Sequence, residues 1–451
     1  MFEPLDKKMG RFSKGYAFVR TFFVFPVFLF FYRKIQVVGR NSAPKGPVIF
    51  TPNHQNALMD AICILCTENR QPVFVARADI FRHPVVIRIL HFLHILPVYR
   101  KRDGAGGTDN NQETFDVLIR VLRRKRAMGI MPEGGHNEKK RLNVLQKGVF
   151  RIAMKAQEEY GNNKGVKIVP VGLEYSDTRK FRSDVIIRYG EALEMSDYYG
   201  LYAENPAKAF KLLQDTLSAR MKEGMVHIGN DSYYHEIEWA RRIFAPEIAG
   251  IIGLRRNGQG RLSAQQRIVA AMETLALENP DGMLFLKTQI DAYLLLLETY
   301  RFRDHIVAQP HTGRDMLWRI LLLLAGTPLW MAGLLFNYIP YRLSVRASSK
   351  VKDPQFISSV QYVACVVLFP LYYLTVAILS IVFVPCVSGK ICTVAAMLPA
   401  GLFALWWYRS LQTTVADIRF LKHGKNCDTR RMITLRKNLL ETLARAVSQT
   451  A

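Results

Sequence analysis

Between residues 36 and 228, short apolar runs alternate with longer stretches of helical period. "GPVIFTPN", "PVFVAR", "GIMPEGG", "VKIVPVGLEYS" and "DVIIRYGEAL" are apolar, rich in β-branched residues or bounded by Gly, Pro and Asn, and read as strands. "ETFDVLIRVLRRKRA" and "GVFRIAMKAQEEYG" repeat their apolar residues at helical spacing. The alternation predicts an α/β domain over 36–228, with a mixed, largely buried sheet flanked by helices. The pattern then changes. "HEIEWARRIFAPEIAG" and "LFLKTQIDAYLLLLETYRFRD" predict a helical subdomain over 229–315.

Two further regions are more apolar than a soluble core requires. "YAFVRTFFVFPVFLFFYRK" (16–34) is aromatic and bracketed by Arg20 and Arg33. Its uninterrupted part is shorter than the ~20 residues that span a bilayer. Residues 1–35 are therefore expected to form an interfacial or partly inserted membrane anchor, and the absence of a small-residue cleavage site argues against a secretory signal. Residues 316–410 carry the membrane segments. "MLWRILLLLAGTPLWMAGLLFNYIP" contains Pro328 and has Arg314 and Arg319 on one side and Arg342, Arg346 and Lys350 on the other, the pattern of a re-entrant or kinked helix over 316–340. "VQYVACVVLFPLYYLTVAILSIVFV" and "ICTVAAMLPAGLFALWWY" predict transmembrane helices joined as a hairpin over 360–408. Both ends of the hairpin are expected to be cytoplasmic, with the α/β domain on that same side. The basic tail over 411–451 includes "RRMITLRKNLLETLARAV", amphipathic enough for a membrane surface or for an ordinary terminal helix.

Composition agrees with this division. Hydrophobic residues make up 49% of 451 residues, a high share for a wholly soluble chain. Lys and Arg number 62 against 37 Asp and Glu, so 62 − 37 gives +25. Such a surplus suits an anionic bilayer or a phosphorylated substrate. No zinc finger, RNP segment or paired basic heptads point to nucleic acid, and the basic runs lie beside apolar ones. Cys63 and Cys66 form a C-x-x-C, but within apolar "AICILC" and with no second Cys/His pair they read as small buried hydrophobes; no metal is expected.

The candidate chemistry begins at "TPNHQNALMD". His54 falls where a strand gives way to a helix, the place where ligands gather in open α/β sheets. Asp60 follows six residues later. On a regular helix that spacing turns the side chains about 240° apart, so the pair meets only if His54 stands in the non-helical entry to the turn. A carboxylate that fixes one ring nitrogen equips an imidazole as a general base. No nucleophilic side chain accompanies the pair, so the substrate is expected to supply one, for instance a hydroxyl. "HILPVYRKRDG" ends an apolar run with Arg100, whose planar guanidinium can clamp phosphate. "GIMPEGGHNEKKRLNVLQKG" ends a further strand with Glu133, Gly134 and Gly135, where backbone can approach an anion and Glu133 can hold an Arg or a polyol hydroxyl. Lys147 is a second candidate phosphate contact.

In order and spacing, "NHQNALMD", "LPVYRKRD", "MPEGGHN" and "IVPVGLEY" resemble the four blocks of the glycerolipid acyltransferases over roughly residues 36–195. These enzymes move a fatty acyl group from a thioester to glycerol 3-phosphate or its lyso-lipid. Five residues separate His54 from Asp60 where most of the family has four. That spacing, and "EGG" in place of "EGT", is similar to the branch acting on glycerol 3-phosphate or dihydroxyacetone phosphate. The resemblance implies that His54 deprotonates the acceptor and Asp60 orients it. It implies that Arg100 binds phosphate, that Glu133 and Gly134 bind the acceptor, and that Pro170 lies on the acyl side. The usual residues after the glycine are replaced by Gly135, His136 and Asn137, so those contacts do not transfer. The expected activity is an O-acyltransferase of phospholipid synthesis with acyl-CoA or acyl carrier protein as co-substrate and no cofactor. Alternatives are an acceptor such as lysophosphatidate or a lyso-aminolipid, a hydrolase, or a non-catalytic membrane scaffold.

Overall fold

The structure, a computed structural model, describes residues 9–40, 44–99, 111–309, 313–423 and 426–450. Helix α1 (Lys14–Phe31) contains a wide π turn over Arg20–Val24 just ahead of Pro26, whose ring nitrogen cannot donate to the preceding turn. It runs without a linker into β1 (Tyr32–Val38). That strand straddles residue 35, where the sequence pattern suggested the anchor would end. Its alternating "YRKIQVV" is half-buried, as suits an edge strand, and Arg33 ties it to its neighbour through two bonds to Asp184, 2.9 and 2.7 Å.

After β1 come β2 (Val48–Pro52), α2 (Leu58–Thr67), β3 (Val73–Arg77), α3 (Pro84–Phe92), β4 (Ile95–Val98), α4 (Asn111–Arg123), β5 (Ala127–Gly129), α5 (Gly148–Gln157), β6 (Lys167–Tyr175), β7 (Ser183–Tyr189) and β8 (Leu193–Glu194). Helices α6 (Ser196–Glu204) and α7 (Pro206–Glu223) follow. The sheet order is β1-β7-β6-β2-β5-β3-β4, with β8 beside β6. Strands β6, β2, β5, β3 and β4 run parallel; β7, β1 and β8 run the other way, making the sheet mixed. Apolar residues of the central strands, such as Ile49, Val73 and Met128, pack with Val121 of α4 and Phe150 of α5 in one core. The parallel carboxyl ends therefore share one edge. The expected strand "GIMPEGG" is shorter than its apolar pattern suggested: pairing stops at Gly129, and Pro132 and Gly134, at φ +67°, turn the chain away.

Contacts divide the chain into two compact units, Met1–His227 with Lys352–Ser359, and Ile228–Val351 with Val360–Ala451. In the second, α8 (Tyr234–Ile251), α9 (Gly258–Glu278), α10 (Pro280–Thr299) and α11 (Asp304–Ala308) precede α12 (Gly313–Ser348), α13 (Ile357–Phe383), α14 (Val387–His423) and α15 (Cys427–Gln449). Helix α15 buries Met432, Arg436, Leu439, Leu443 and Val447 along one face, and Arg436 pairs with Glu247 and Asp304. Of the basic tail expected over 411–451, residues 411–423 continue α14 and Cys427–Gln449 form a packed terminal helix. Where the prolines suggested a re-entrant or kinked segment over 316–340, one helix, α12, extends from Gly313 to Ser348. It packs on α14 through a Trp330–Trp407 stack (4.5 Å) and through Gly333, which faces the Ala400 carbonyl with no room for a side chain. Among the described residues, four helices are long and apolar enough to cross a membrane: Lys14–Phe31, Arg314–Ser348, Pro354–Phe383 and Val387–His423. The first, of 18 residues, covers most of the expected N-terminal anchor.

Candidate active site

Strand β2 ends at Pro52, and the next residue continues its ladder with a side chain. The buried Asn53 amide donates to the Leu173 carbonyl (3.1 Å) and accepts the Leu173 N–H (2.6 Å). This locks the exit of β2 onto β6, so that the backbone of residues 54–57 turns at a defined place before α2 begins. Ala57 sits at φ +44° in that turn. His54 occupies its non-helical entry and Asp60 lies in the first turn of α2. The two meet there, with His54 Nδ1 2.9 Å from Asp60 Oδ2.

Four donors converge on the buried Asp60 carboxylate. Oδ2 accepts the Gln55 and Asn56 N–H groups (3.0 and 2.9 Å) besides the imidazole, and Oδ1 accepts the Tyr175 hydroxyl (2.7 Å). Burial raises the Tyr175 phenol far above its ordinary value, so it stays a donor. A buried carboxylate with four donors and the N-terminus of α2 behind it has its lone pairs occupied and its geometry fixed. It therefore holds Nδ1 as the protonated nitrogen, leaving Nε2 of the partly exposed His54 ring for a substrate.

Glu133 reaches the same turn from the far end of β5. Oε1 accepts the His54 N–H (2.7 Å) and Oε2 the Asn143 N–H (2.8 Å), so this carboxyl ties two backbone segments together. Burial pushes it up to about 7 despite those amides. The backbone turns at Gly134, where a side chain would meet Gln146, whereas Gly135 opens onto free space. Beyond them Asn137 N–H donates to the His54 carbonyl (3.4 Å), and Lys140 bonds Gln55 Oε1 (3.0 Å) and Glu174 (2.9 Å). Residues 133–143 thus wrap the histidine turn.

Pro170 is inside the sheet, paired in register with Thr51 and accepting from Gly190 N–H. Lys147 is exposed at the start of α5. Arg100 lies outside the described residues; its neighbour Tyr99 is pinned on both backbone groups by the Asn111 side chain. Cys63 and Cys66 are buried in α2, where burial raises both thiols, Cys66 to about 12.

The structure also brings in groups that the sequence pattern did not single out. The ring of His136 stands edge-on to that of His54 at 5.4 Å, bonds Asp353 through Nε2 (3.2 Å) and packs edge-on to Phe356 at 5.2 Å. Burial lowers His136 below its ordinary value. Arg77, at the carboxyl end of β3, pairs with Asp79 and lies close enough to act electrostatically on both His136 and Asp353. Its place on the shared strand-end edge was the available signal; Asp353 is more than two hundred residues from His136 and gave none.

Residues 34–174 match the family model described as Acyltransferase. Among curated proteins, the chain is 24% identical over 302 residues to "Glycerol-3-phosphate O-acyltransferase 2" of Saccharomyces cerevisiae, covering 60% of this chain and 38% of that one. It is 26% identical over 198 residues to "Glycerol-3-phosphate O-acyltransferase 1" of the same yeast, covering 43% and 25%. It is also 27% identical over 157 residues to "1-acyl-sn-glycerol-3-phosphate acyltransferase" of Borreliella burgdorferi, covering 35% and 57%. The matches thus span under two fifths of the yeast relatives' length. A solved structure, the 1-acyl-sn-glycerophosphate acyltransferase PlsC of Thermotoga maritima, is similar at 18% identity and TM-score 0.35, covering 46% of this chain and 78% of that one. The segment 34–174, which holds the His54–Asp60 turn, is thus similar to the Acyltransferase family.

Proposed function

We propose that this protein is a membrane-bound O-acyltransferase that moves a fatty acyl group from acyl-CoA or acyl carrier protein to a hydroxyl of glycerol 3-phosphate or dihydroxyacetone phosphate. The observation that carries the reading is the His54–Asp60 pair, with Nδ1 occupied and Nε2 left over. In this reading Nε2 takes the acceptor's hydroxyl proton as its oxygen attacks the thioester carbonyl. The tetrahedral intermediate collapses, the carbon–sulfur bond breaks, and the imidazolium returns its proton to the leaving thiolate. Asp60 orients the ring and stabilises the imidazolium. Arg100 and Lys147 remain the proposed phosphate contacts, with Arg77 a further cation of suitable chemistry. Pro170 remains assigned to the acyl side. No cofactor takes part in this scheme.

The surplus of positive charge supports a bilayer and a phosphorylated acceptor as partners. Basic flanks on the apolar helices support a cytoplasmic catalytic unit. Lysophosphatidate is the second reading, favoured by the likeness to the Borreliella enzyme.

The test is acyl transfer by the detergent-purified full chain, with labelled acyl-CoA and acyl carrier protein offered against glycerol 3-phosphate, dihydroxyacetone phosphate and lysophosphatidate in parallel. One acceptor is expected to dominate, and His54→Ala to lower the rate by about 10²- to 10⁴-fold. Activity that survives His54→Ala removes the dyad mechanism. Preference for lysophosphatidate selects the second reading.

A further inference from the structure

The eight residues 352–359 run from the link after α12 into the first turn of α13, both of them apolar helices, yet they belong to the catalytic unit. We infer that this connector is a positioning element of the active site, setting the turn that carries His54; the inference rests on the function proposed above. Four contacts support it. Ser359 Oγ accepts the Leu58 N–H at 3.1 Å, the first amide of the helix that holds Asp60. Such an amide has no partner within its own helix, and the residue ahead of it, Ala57, has no side-chain acceptor to offer. Ser358 Oγ donates to Asn56 Oδ1, fixing the side chain next to the two amides that bind Asp60. Asp353 and Phe356 hold His136 edge-on to the catalytic imidazole.

The turn needs such support because little in it is regular. His54 N–H is taken by Glu133, Gln55 and Asn56 N–H by Asp60, and Leu58 N–H by Ser359. Only the last acceptor comes from outside the segment 34–174. Both serines are buried, and neither is a surface hydroxyl caught by chance. The connector touches the turn's backbone and the neighbouring ring, so its effect should appear in turnover more than in substrate binding.

The experiment compares full-length wild type with Ser359→Ala, Ser359→Thr and Asp353→Asn in detergent, reading kcat and the KM of both substrates. Ser359→Ala is expected to lower kcat at least fivefold with each KM within twofold, and Ser359→Thr, which keeps the hydroxyl, to return kcat to within twofold of wild type. Asp353→Asn, at a half-exposed carboxylate that can be changed without unfolding the chain, is expected to lower kcat at least threefold. If Ser359→Ala cannot be purified, Asp353→Asn alone decides. Wild-type kcat in the folded variants overturns the inference, as does a loss confined to KM. His54→Ala run alongside separates the two failures: an inactive His54→Ala with fully active connector variants sinks only this inference, whereas an active His54→Ala sinks the mechanism beneath it.

Discussion

Glu133 accepts two backbone amides, which favours the ionised form, and is buried, which favours the neutral one; burial wins and its pKa rises from the ordinary 4.5 to about 7. The unfolded chain releases this proton near 4.5 and the folded chain near 7. The contribution to stability is thus complete below about 4.5 and is lost as pH rises through about 7, with a span on the order of 3 kcal/mol. Glu133→Gln does not titrate. Thermal unfolding in detergent should show the wild type losing stability from pH 4.5 to 7 relative to Glu133→Gln, and parallel curves would refute the assignment. The residue itself was legible in the sequence, but the amides it holds were not. A carboxylate at a glycine-rich strand end suggests a ligand, and only the fold shows His54 and Asn143 N–H already in its grip. For His54 and Asp60 the spacing implied that they could meet only in a non-helical turn, and the ring and carboxylate do lie 2.9 Å apart there.

Elements were legible where one physical signal dominated. Strands β2 and β3 announce themselves as buried β-branched runs closed by polar residues, and α4 and α5 by their apolar stripes. Strand β1 did not, because its polar residues follow directly on an aromatic helix and an edge strand needs only half its pattern apolar. The extent of β5 was overread for the opposite reason: "GIMP" is apolar, but Pro132 cannot donate to a ladder and Gly134 bends the chain at φ +67°. That bend gives a test at this scale. In Gly134→Ala the new methyl would lie 2.9 Å from Gln146 Cγ on a left-handed backbone. The expected cost is about 1–2 kcal/mol, seen as a lower Tm, together with reduced acyl transfer as Glu133 and His136 shift. An unchanged Tm would mean that the loop relaxes freely.

For the molecule as a whole, four apolar helices and a net charge of +25 lead to the expectation that the protein stays in the membrane pellet under alkaline carbonate extraction. Release into the supernatant would reduce those helices to a peripheral role. The three long apolar stretches after residue 313 were readable from composition, because nothing but lipid or a large core tolerates them. What composition could not reveal is which piece of chain completes which unit. Segment 352–359 shares no periodicity or motif with residues 54–58, and only the fold joins them. The order of synthesis gives that junction a further meaning. A ribosome that has finished His227 must add 132 more residues (359 − 227) before Ser359 exists. At about 5–20 residues per second this takes roughly 7 to 26 s. The first long apolar helix of the second unit is made within that interval, so a nascent chain finishes its catalytic turn only after its first C-terminal lipid-seeking segment has emerged. Chains that stall or are cut short before that point would carry the histidine and the aspartate without the last amide acceptor of the turn; under the proposed function, half-made protein away from a bilayer would then transfer acyl groups poorly.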